Sequence, residues 1–429
     1  MSRSHRPSHD RRARLENPLT RRELLAGTAA ALGAAALPVA RAAGTPAVSR
    51  AVTPQPQDST AVQGRPPTEL GQRSPHETIE RRVNRRAPSG ESETPLERLR
   101  GIITPADLHF ERHHAGVPAI DPERYRLLIH GMVERPMVFS LGDLKRYPSR
   151  SQICFIECSG NGYRGYLRNL IKPEWTPQQL DGLTSTSEWT GVPLATLMRE
   201  VGVRPGAAWL LAESSDAAMM TRSIPMEKAR DDAMIAYGQN GEAIRPEQGY
   251  PARLLLPGWE GNAQVKWIRR IEFSDRPFMT REETSKYSDP LADCTARLFS
   301  FEMDAKSVIT FPAFPGVLYP GWWEITGLAW SGRGRIRRVD VSTDGGRTWR
   351  EAGLQDPVLP KCHTRFRHVW RWGGEEALLM SRAVDETGYV QPTLAALRKV
   401  RGEGTFYHHN NIRGWRVQRD GRVFFGVEG

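Results

Sequence analysis

Ile153-Cys154-Phe155-Ile156-Glu157-Cys158-Ser159-Gly160-Asn161 runs from an apolar, β-prone stretch straight into a Gly/Asn turn. A strand that empties into a glycine-rich loop is where folds present a reactive or metal-ligating group on a rigid edge. Cys158 stands at that edge, and its alternative role is that of a buried free thiol acting as a small hydrophobe. Cys154 lies four positions earlier, about 13 Å away at the usual strand rise and so beyond disulfide reach. The remaining cysteines, Cys294 and Cys362, complete no Cys-x-x-Cys zinc pattern and no Cys-x-x-Cys-His haem attachment site.

Outward from this stretch, residues 101–298 alternate short strands and helices. Tyr125-Arg126-Leu127-Leu128-Ile129-His130 reads as a strand closed by Gly131, and Ser140-Leu141-Gly142-Asp143 as a capping box before Leu144. Leu194, Leu197, Met198 and Val201 fall on one helical face behind Thr190 and Pro193. This pattern predicts a mixed α+β domain. From residue 299 to 429 the strands become short and closely spaced: Trp322 to Trp330, Ile336 to Val341, His368 to Trp372 and Ala377 to Val384, with a hairpin at Asp344-Gly345-Gly346. An all-β immunoglobulin-like sandwich of about 120 residues is expected there, a barrel being the other architecture with this pattern.

Residues 1–42 read as an export signal rather than structure. Thr20-Arg21-Arg22-Glu23-Leu24-Leu25 is a twin-arginine pattern, the 17 residues from Leu24 to Ala40 are apolar but small, and Ala40-Arg41-Ala42 offers a cleavage site. The expectation is a folded, periplasmic protein without a membrane anchor. Eight arginines against three acids in this segment account for nearly half of the net charge of +11. What remains is ordinary for a soluble domain, and no basic stripe interleaved with aromatics suggests nucleic acid. Residues 43–100, rich in Pro, Arg, Ser, Glu and Gln, are expected to be a disordered linker or to drape over the surface.

Three further runs carry groups suited to an anionic cofactor. Phe110-Glu111-Arg112-His113-His114 sets a guanidinium beside two imidazoles, Gln248-Gly249-Tyr250-Pro251-Ala252-Arg253 leads into an apolar strand, and Gly258 to Trp267 is a glycine-bounded loop that ends in Lys266. Cations at strand edges, with exposed backbone N–H groups in glycine-rich loops, suit phosphate or another anion.

Taken together, these runs resemble the sulfite oxidase family of molybdenum enzymes over nearly all of residues 101–429. Cys158-Ser159-Gly160-Asn161 is similar to the family's Cys-Ala-Gly-Asn motif, whose thiolate binds molybdenum, a suitable partner for a soft ligand. Trp189 to Leu194, Ser223 to Ala229, Val265-Lys266-Trp267, Ala383-Val384-Asp385 and Val390-Gln391-Pro392 resemble further family signatures in order. The resemblance implies a mixed α/β molybdopterin-binding domain followed by the sandwich, which would mediate a homodimer. It also implies a cofactor, molybdenum with molybdopterin, held by Phe110, Arg112, His113, His114, Asp216, Gln248, Arg253, Gln264, Val265 and Lys266. Cys158 would be the metal ligand, with Arg112 and Tyr287 completing the catalytic set; the other role for Tyr287 is half-buried packing.

Departures from the family narrow the expectation. Gly162-Tyr163-Arg164 stands where sulfite enzymes carry two arginines, Gln248 where many relatives have histidine, and Arg401-Gly402 is a candidate replacement for a pocket arginine. With Thr284 to Pro290 and Tyr407 to Asn411, these features resemble one subgroup, the molybdenum subunit of the periplasmic sulfane dehydrogenase of thiosulfate oxidation. That resemblance implies oxidation of sulfane sulfur or sulfite by oxygen-atom transfer, with electrons passed to a c-type cytochrome and the sulfur presented by a carrier protein. No haem domain of the cytochrome b type is expected before residue 101. A dehydrogenase acting on free sulfite, a zinc hydrolase built on Cys158, His113 and His114, and a non-catalytic binding subunit are the alternatives.

Overall fold

The structure, a computed structural model, describes residues 63–85, 88–291 and 293–426; the expected export signal lies outside them. The described residues before Ser74 belong to a separate unit, and everything below concerns the unit from Ser74 onward. Among the described residues no helix is long and apolar enough to cross a membrane.

Two five-stranded sheets build the first lobe. In one, the strand Thr184–Pro193 pairs antiparallel with Arg150–Glu157 on one side and with Met234–Gln239 on the other. Met234–Gln239 in turn pairs with Glu242–Ala243 and Arg253–Leu255. The second sheet runs Met137–Phe139, Leu127–Gly131, Ile268–Ser274, Trp209–Ser214, Thr221–Pro225, with a single parallel pairing between Leu127–Gly131 and Ile268–Ser274. Alternation dictates these strands: in Ile268–Ser274 the apolar Ile268, Ile271 and Phe273 are buried and Arg269 faces solvent. The helix Leu194–Val201 buries Leu194, Leu197, Met198 and Val201, as its spacing requires, and stops at Gly202 in the left-handed region. Ser140 caps the helix Leu141–Arg146 through a reciprocal capping box with Asp143.

The second lobe is the sandwich. Its four-stranded sheet is ordered Lys306–Phe311, Gly321–Trp330, Thr364–Trp372, Gly353–Gln355. The facing five-stranded sheet is ordered Arg350–Glu351, Ile336–Ser342, Ala377–Asp385, Gly414–Val417, Val423–Gly426. Ile325, Val339, Phe366, Leu379 and Trp415 fill the space between them. The Asp344-Gly345-Gly346 hairpin forms, with both glycines at positive φ and Val341 opposite Arg350. A helix that the short-strand pattern did not announce, Leu394–Arg401, is capped by Thr393 and packs Leu394 and Leu397 on Tyr166 and Leu167 of the first lobe.

One expectation is corrected. The stretch read as disordered or surface-draped up to residue 100 contains strands at Arg82–Arg85 and Gly90–Glu93, which continue into Glu111–His113 as a three-stranded sheet. Glu91, Ser92, Glu93 and Thr94 are buried. Composition misses this because the segment is held by ladder hydrogen bonds and ion pairs rather than apolar area. Arg164 pairs with Glu93 at 2.6 Å and with Glu91 at 3.6 Å, and Arg82 reaches Glu93 at 3.1 Å.

Candidate active site

The strand Arg150–Glu157 ends on a turn tied both to itself and to Leu183 at the head of the neighbouring strand. Cys158 N–H donates to Leu183 O (2.9 Å), Asn161 N–H to Cys158 O (2.8 Å), and Leu183 N–H to the Asn161 side-chain oxygen (3.1 Å). The Asn161 amide donates in turn to Glu157 at 2.9 Å. Gly162 closes the turn at φ +95°, where a Cβ would lie 2.1 Å from the Arg413 guanidinium. Gly261 allows the neighbouring loop to approach, since a Cβ there would fall 2.7 Å from Glu157 O. Cys158 is thereby held at the mouth of a cleft, partly exposed, as a free thiol; the other three cysteines are also free.

All twelve residues singled out in the sequence line this one cleft: Phe110, Arg112, His113, His114, Cys158, Asp216, Gln248, Arg253, Gln264, Val265, Lys266 and Tyr287. They converge from the sheet strand Glu111–His113, the loop after Trp209–Ser214, the strand Arg253–Leu255 and the loop before Ile268. Ile156, Met220, Asn262 and Trp267 line it as well and were not singled out. Asn262 could have been found as the second amide, beside Gln264, in the Gly258 to Trp267 loop; it donates to Ser159 Oγ at 3.0 Å and to Glu260 at 2.7 Å.

The cleft is built for an anion. Arg253 and Lys266 are deeply set and donate only to carbonyls: Arg253 to Gln248 O (2.9 Å) and Gln264 O (3.0 Å), Lys266 to Arg112 O (3.0 Å) and Glu247 O (2.8 Å). Neither forms an ion pair within 4.0 Å among the described residues, and Arg253 Nε is buried without a partner. Burial, then repulsion from Arg253, pushes Lys266 down to about 7, and burial pushes Arg253 down to about 9. A buried guanidinium and a half-buried ammonium with no carboxylate within 4.0 Å are what a phosphate-bearing cofactor would neutralise. Burial also raises the Cys158 thiol to about 11, against the pull of Arg112, so a metal cation is the natural way to hold it as thiolate.

Tyr287 follows a wide helical turn, Glu282–Lys286, closed by its N–H donating to Glu282 O at 3.0 Å. Its hydroxyl lies 3.0 Å from His114 Nε2, and the Arg222 guanidinium stacks 5.4 Å from its ring. Beyond Cys158, Arg112, His114 and Tyr287 the cleft meets an outer chamber of about 680 Å³ that Arg85, Tyr163, Arg281, Lys286, Phe406 and Tyr407 also line.

Arg164, beside the position of the displaced arginines, and Arg401, the candidate replacement, are both engaged outside the cleft. Arg164 is buried against Glu93 and Glu91, and its neighbour Tyr163 lines the outer chamber instead. Arg401 pairs with Asp289 at 3.1 Å and Asp304 at 3.7 Å. Among the described residues no group of three His, Cys, Asp or Glu side chains could hold a metal, which removes the basis of the zinc hydrolase alternative. His113 is held by Glu111 at 2.9 Å.

Residues 114–282 match the family described as "Oxidoreductase molybdopterin binding domain", and residues 297–414 match "Mo-co oxidoreductase dimerisation domain". The crystal structure of the sulfane dehydrogenase SoxCD from Paracoccus pantotrophus is 44% identical with a TM-score of 0.83, covering 90% of this chain and 100% of that one. Sulfite oxidase of Gallus gallus is 32% identical over 348 residues, 75% of each chain. Nitrate reductase [NADH] of Solanum lycopersicum is 33% identical over 351 residues; the match covers 70% of this chain but only 37% of that longer protein. With the thiol, the cationic cleft and the sandwich all in place, the chain belongs to the sulfite oxidase family of molybdopterin-binding oxidoreductases.

Proposed function

We propose that the protein is a molybdenum-dependent oxidoreductase that oxidises sulfane sulfur borne on a carrier protein and passes electrons to a c-type cytochrome. The observation that carries the redox reading is the Cys158 thiol at the head of a cleft whose cations, Arg253 and Lys266, donate only to carbonyls and have no carboxylate within 4.0 Å among the described residues. When bound, molybdenum in molybdopterin supplies two-electron oxidation of sulfur with transfer of an oxygen atom that water replaces. Cys158 would ligate the metal, while Arg253, Lys266, Gln248, Gln264, Asp216 and the backbone around Val265 would hold the pterin and its phosphate. Phe110 and His113 wall the cleft. Arg112 would stabilise negative charge on the sulfur group as oxygen is added. Tyr287, bonded to His114, would hold or move the proton at its phenolic oxygen.

Arg164 supports the choice of substrate. A compact sulfite dianion is best held by several converging guanidiniums. Here the guanidinium after the Cys158 motif is spent on Glu93 and Glu91, and Tyr163 lines a chamber of about 680 Å³ that a carrier's peptide arm would enter. Free sulfite as substrate is the second reading, favoured by Arg85, Arg281 and Lys286 around the same chamber. A homodimer through the sandwich and twin-arginine export to the periplasm complete the proposal. Turnover of carrier-bound sulfane sulfur and of free sulfite, each with cytochrome c as acceptor, separates the readings. Preference for the carrier-bound donor is expected; efficient use of sulfite with neglect of the carrier would replace this reading with sulfite dehydrogenase.

A further inference from the structure

The turn that carries Cys158 is gripped from behind by the sandwich. Lys306, on the first strand of that lobe, places Nζ 3.0 Å from Glu157 Oε1 and 2.9 Å from Asp181 Oδ1. Arg413 pairs with the same Asp181 and donates to Gly162 O at 3.1 Å. Trp330 Nε1 donates to the second Glu157 oxygen at 2.6 Å, and His408 N–H to Ser159 O at 2.9 Å. The four charged residues are buried, between 0% and 6% exposed, and their formal charges cancel.

Contacts from the second lobe therefore bracket Cys158 on both sides: Glu157 before it, Ser159 and Gly162 after it. An apolar seam would join two lobes at lower desolvation cost than a buried ion quartet. What the quartet adds is direction, since each carboxylate oxygen and carbonyl is tied to a named donor. We propose that the sandwich is a working part of the metal site, with Lys306, Arg413 and Trp330 as positioning residues that fix the orientation of the Cys158 sulfur. This rests on the reading of Cys158 as metal ligand. It gives the second lobe a role distinct from dimerisation.

The test uses the full-length, molybdenum-loaded protein and a double variant, Glu157→Gln with Lys306→Met, which removes both charges without stranding either. Molybdenum content, oligomeric state, kcat, KM and the Mo(V) electron paramagnetic resonance spectrum are measured together. The expected result is near-wild-type molybdenum content and assembly, KM within about twofold, kcat lower by roughly ten- to a hundredfold, and a shifted spectrum, because small misplacement at a reacting centre costs about that much. An unchanged spectrum with turnover within twofold of wild type would overturn the proposal. If the double variant does not fold, Trp330→Phe, which deletes only the indole donor to Glu157, is judged by the same spectrum and the same turnover limit. Wild-type protein without molybdenum would instead refute the underlying assignment of Cys158.

Discussion

The hydroxyl of Tyr287 lies 3.0 Å from Nε2 of His114, joining two walls of the cleft that are 173 residues apart in sequence. Desolvation of the ring inside the cleft, then the neighbouring Arg112, lowers His114 to about 4 although the residue keeps solvent exposure, which favours the neutral imidazole that can share the tyrosine proton. Burial raises the Tyr287 phenol above its ordinary value, which keeps it protonated. Tyr287→Phe is expected to lower kcat about ten- to a hundredfold while molybdenum content stays unchanged. The pH profile of kcat should show no step near 6.5 from His114. A variant within twofold of wild type would remove Tyr287 from the reaction.

Cys158→Ser should fold and lose activity, because a hydroxyl is too hard and too basic to replace a thiolate on an oxidising metal. Cys154, fully buried in the strand among Phe110, Trp189 and Met234, should behave differently. Cys154→Ser is expected to keep turnover and to lower thermal stability modestly. Turnover by Cys158→Ser at full molybdenum content would contradict the ligand assignment.

Lys266 gives a prediction of opposite signs for loaded and empty protein. Without a cofactor its charge is buried and repelled by Arg253, so it opposes folding. Its folded value, about 7, lies below the ordinary 10.5, and the empty protein should gain stability as pH rises across that window. Lys266→Met should raise the melting temperature of the empty protein at pH 7 and abolish that gain. The same variant should retain less molybdopterin, and retention equal to wild type would show that Lys266 does not hold the cofactor.

His408 titrates the other way. Burial alone would push it down, but the Glu260 carboxylate against its Nε2 holds it above 6.5. The pair's stabilisation is therefore full below the unfolded value and is lost as pH rises through the raised one. Thermal melts from pH 6 to 9 should show wild type losing more stability than His408→Gln. Parallel slopes would mean that the pair is not charged.

Much of the site was legible because its chemistry sits in short runs. A thiol at a strand end, cations beside glycine loops and a tyrosine after a polar segment keep their character in one dimension, and the fold brings them to one cleft. Pairings across long separations were not legible. Nothing local in Arg164 shows that it will be consumed by Glu91 and Glu93, because those acids sit in a stretch too poor in apolar residues to read as strand. Lys306 looks like a strand-end charge until the fold sets it on Glu157, 149 residues away. The helix Leu394–Arg401 was hidden because only Leu394 and Leu397 mark its apolar face, beside two alanines and three basic residues.

Tyr163 offers the substrate test by substitution. Tyr163→Arg would return a guanidinium to the outer chamber near Cys158. One charge-assisted contact is worth about 1.5–3 kcal/mol, so preference should shift toward sulfite by roughly ten- to a hundredfold in kcat/KM. No shift would mean that the missing arginine does not set specificity.

Molybdenum held by the Cys158 thiolate should take electrons from sulfur. Anaerobic addition of the sulfur donor to molybdenum-loaded protein, followed through the thiolate-to-metal absorption band, tests it most directly. The account predicts that the band bleaches at about one two-electron equivalent per metal and returns on adding oxidised cytochrome c. A band that is absent from the loaded wild type, or one that the donor leaves unchanged, would contradict it.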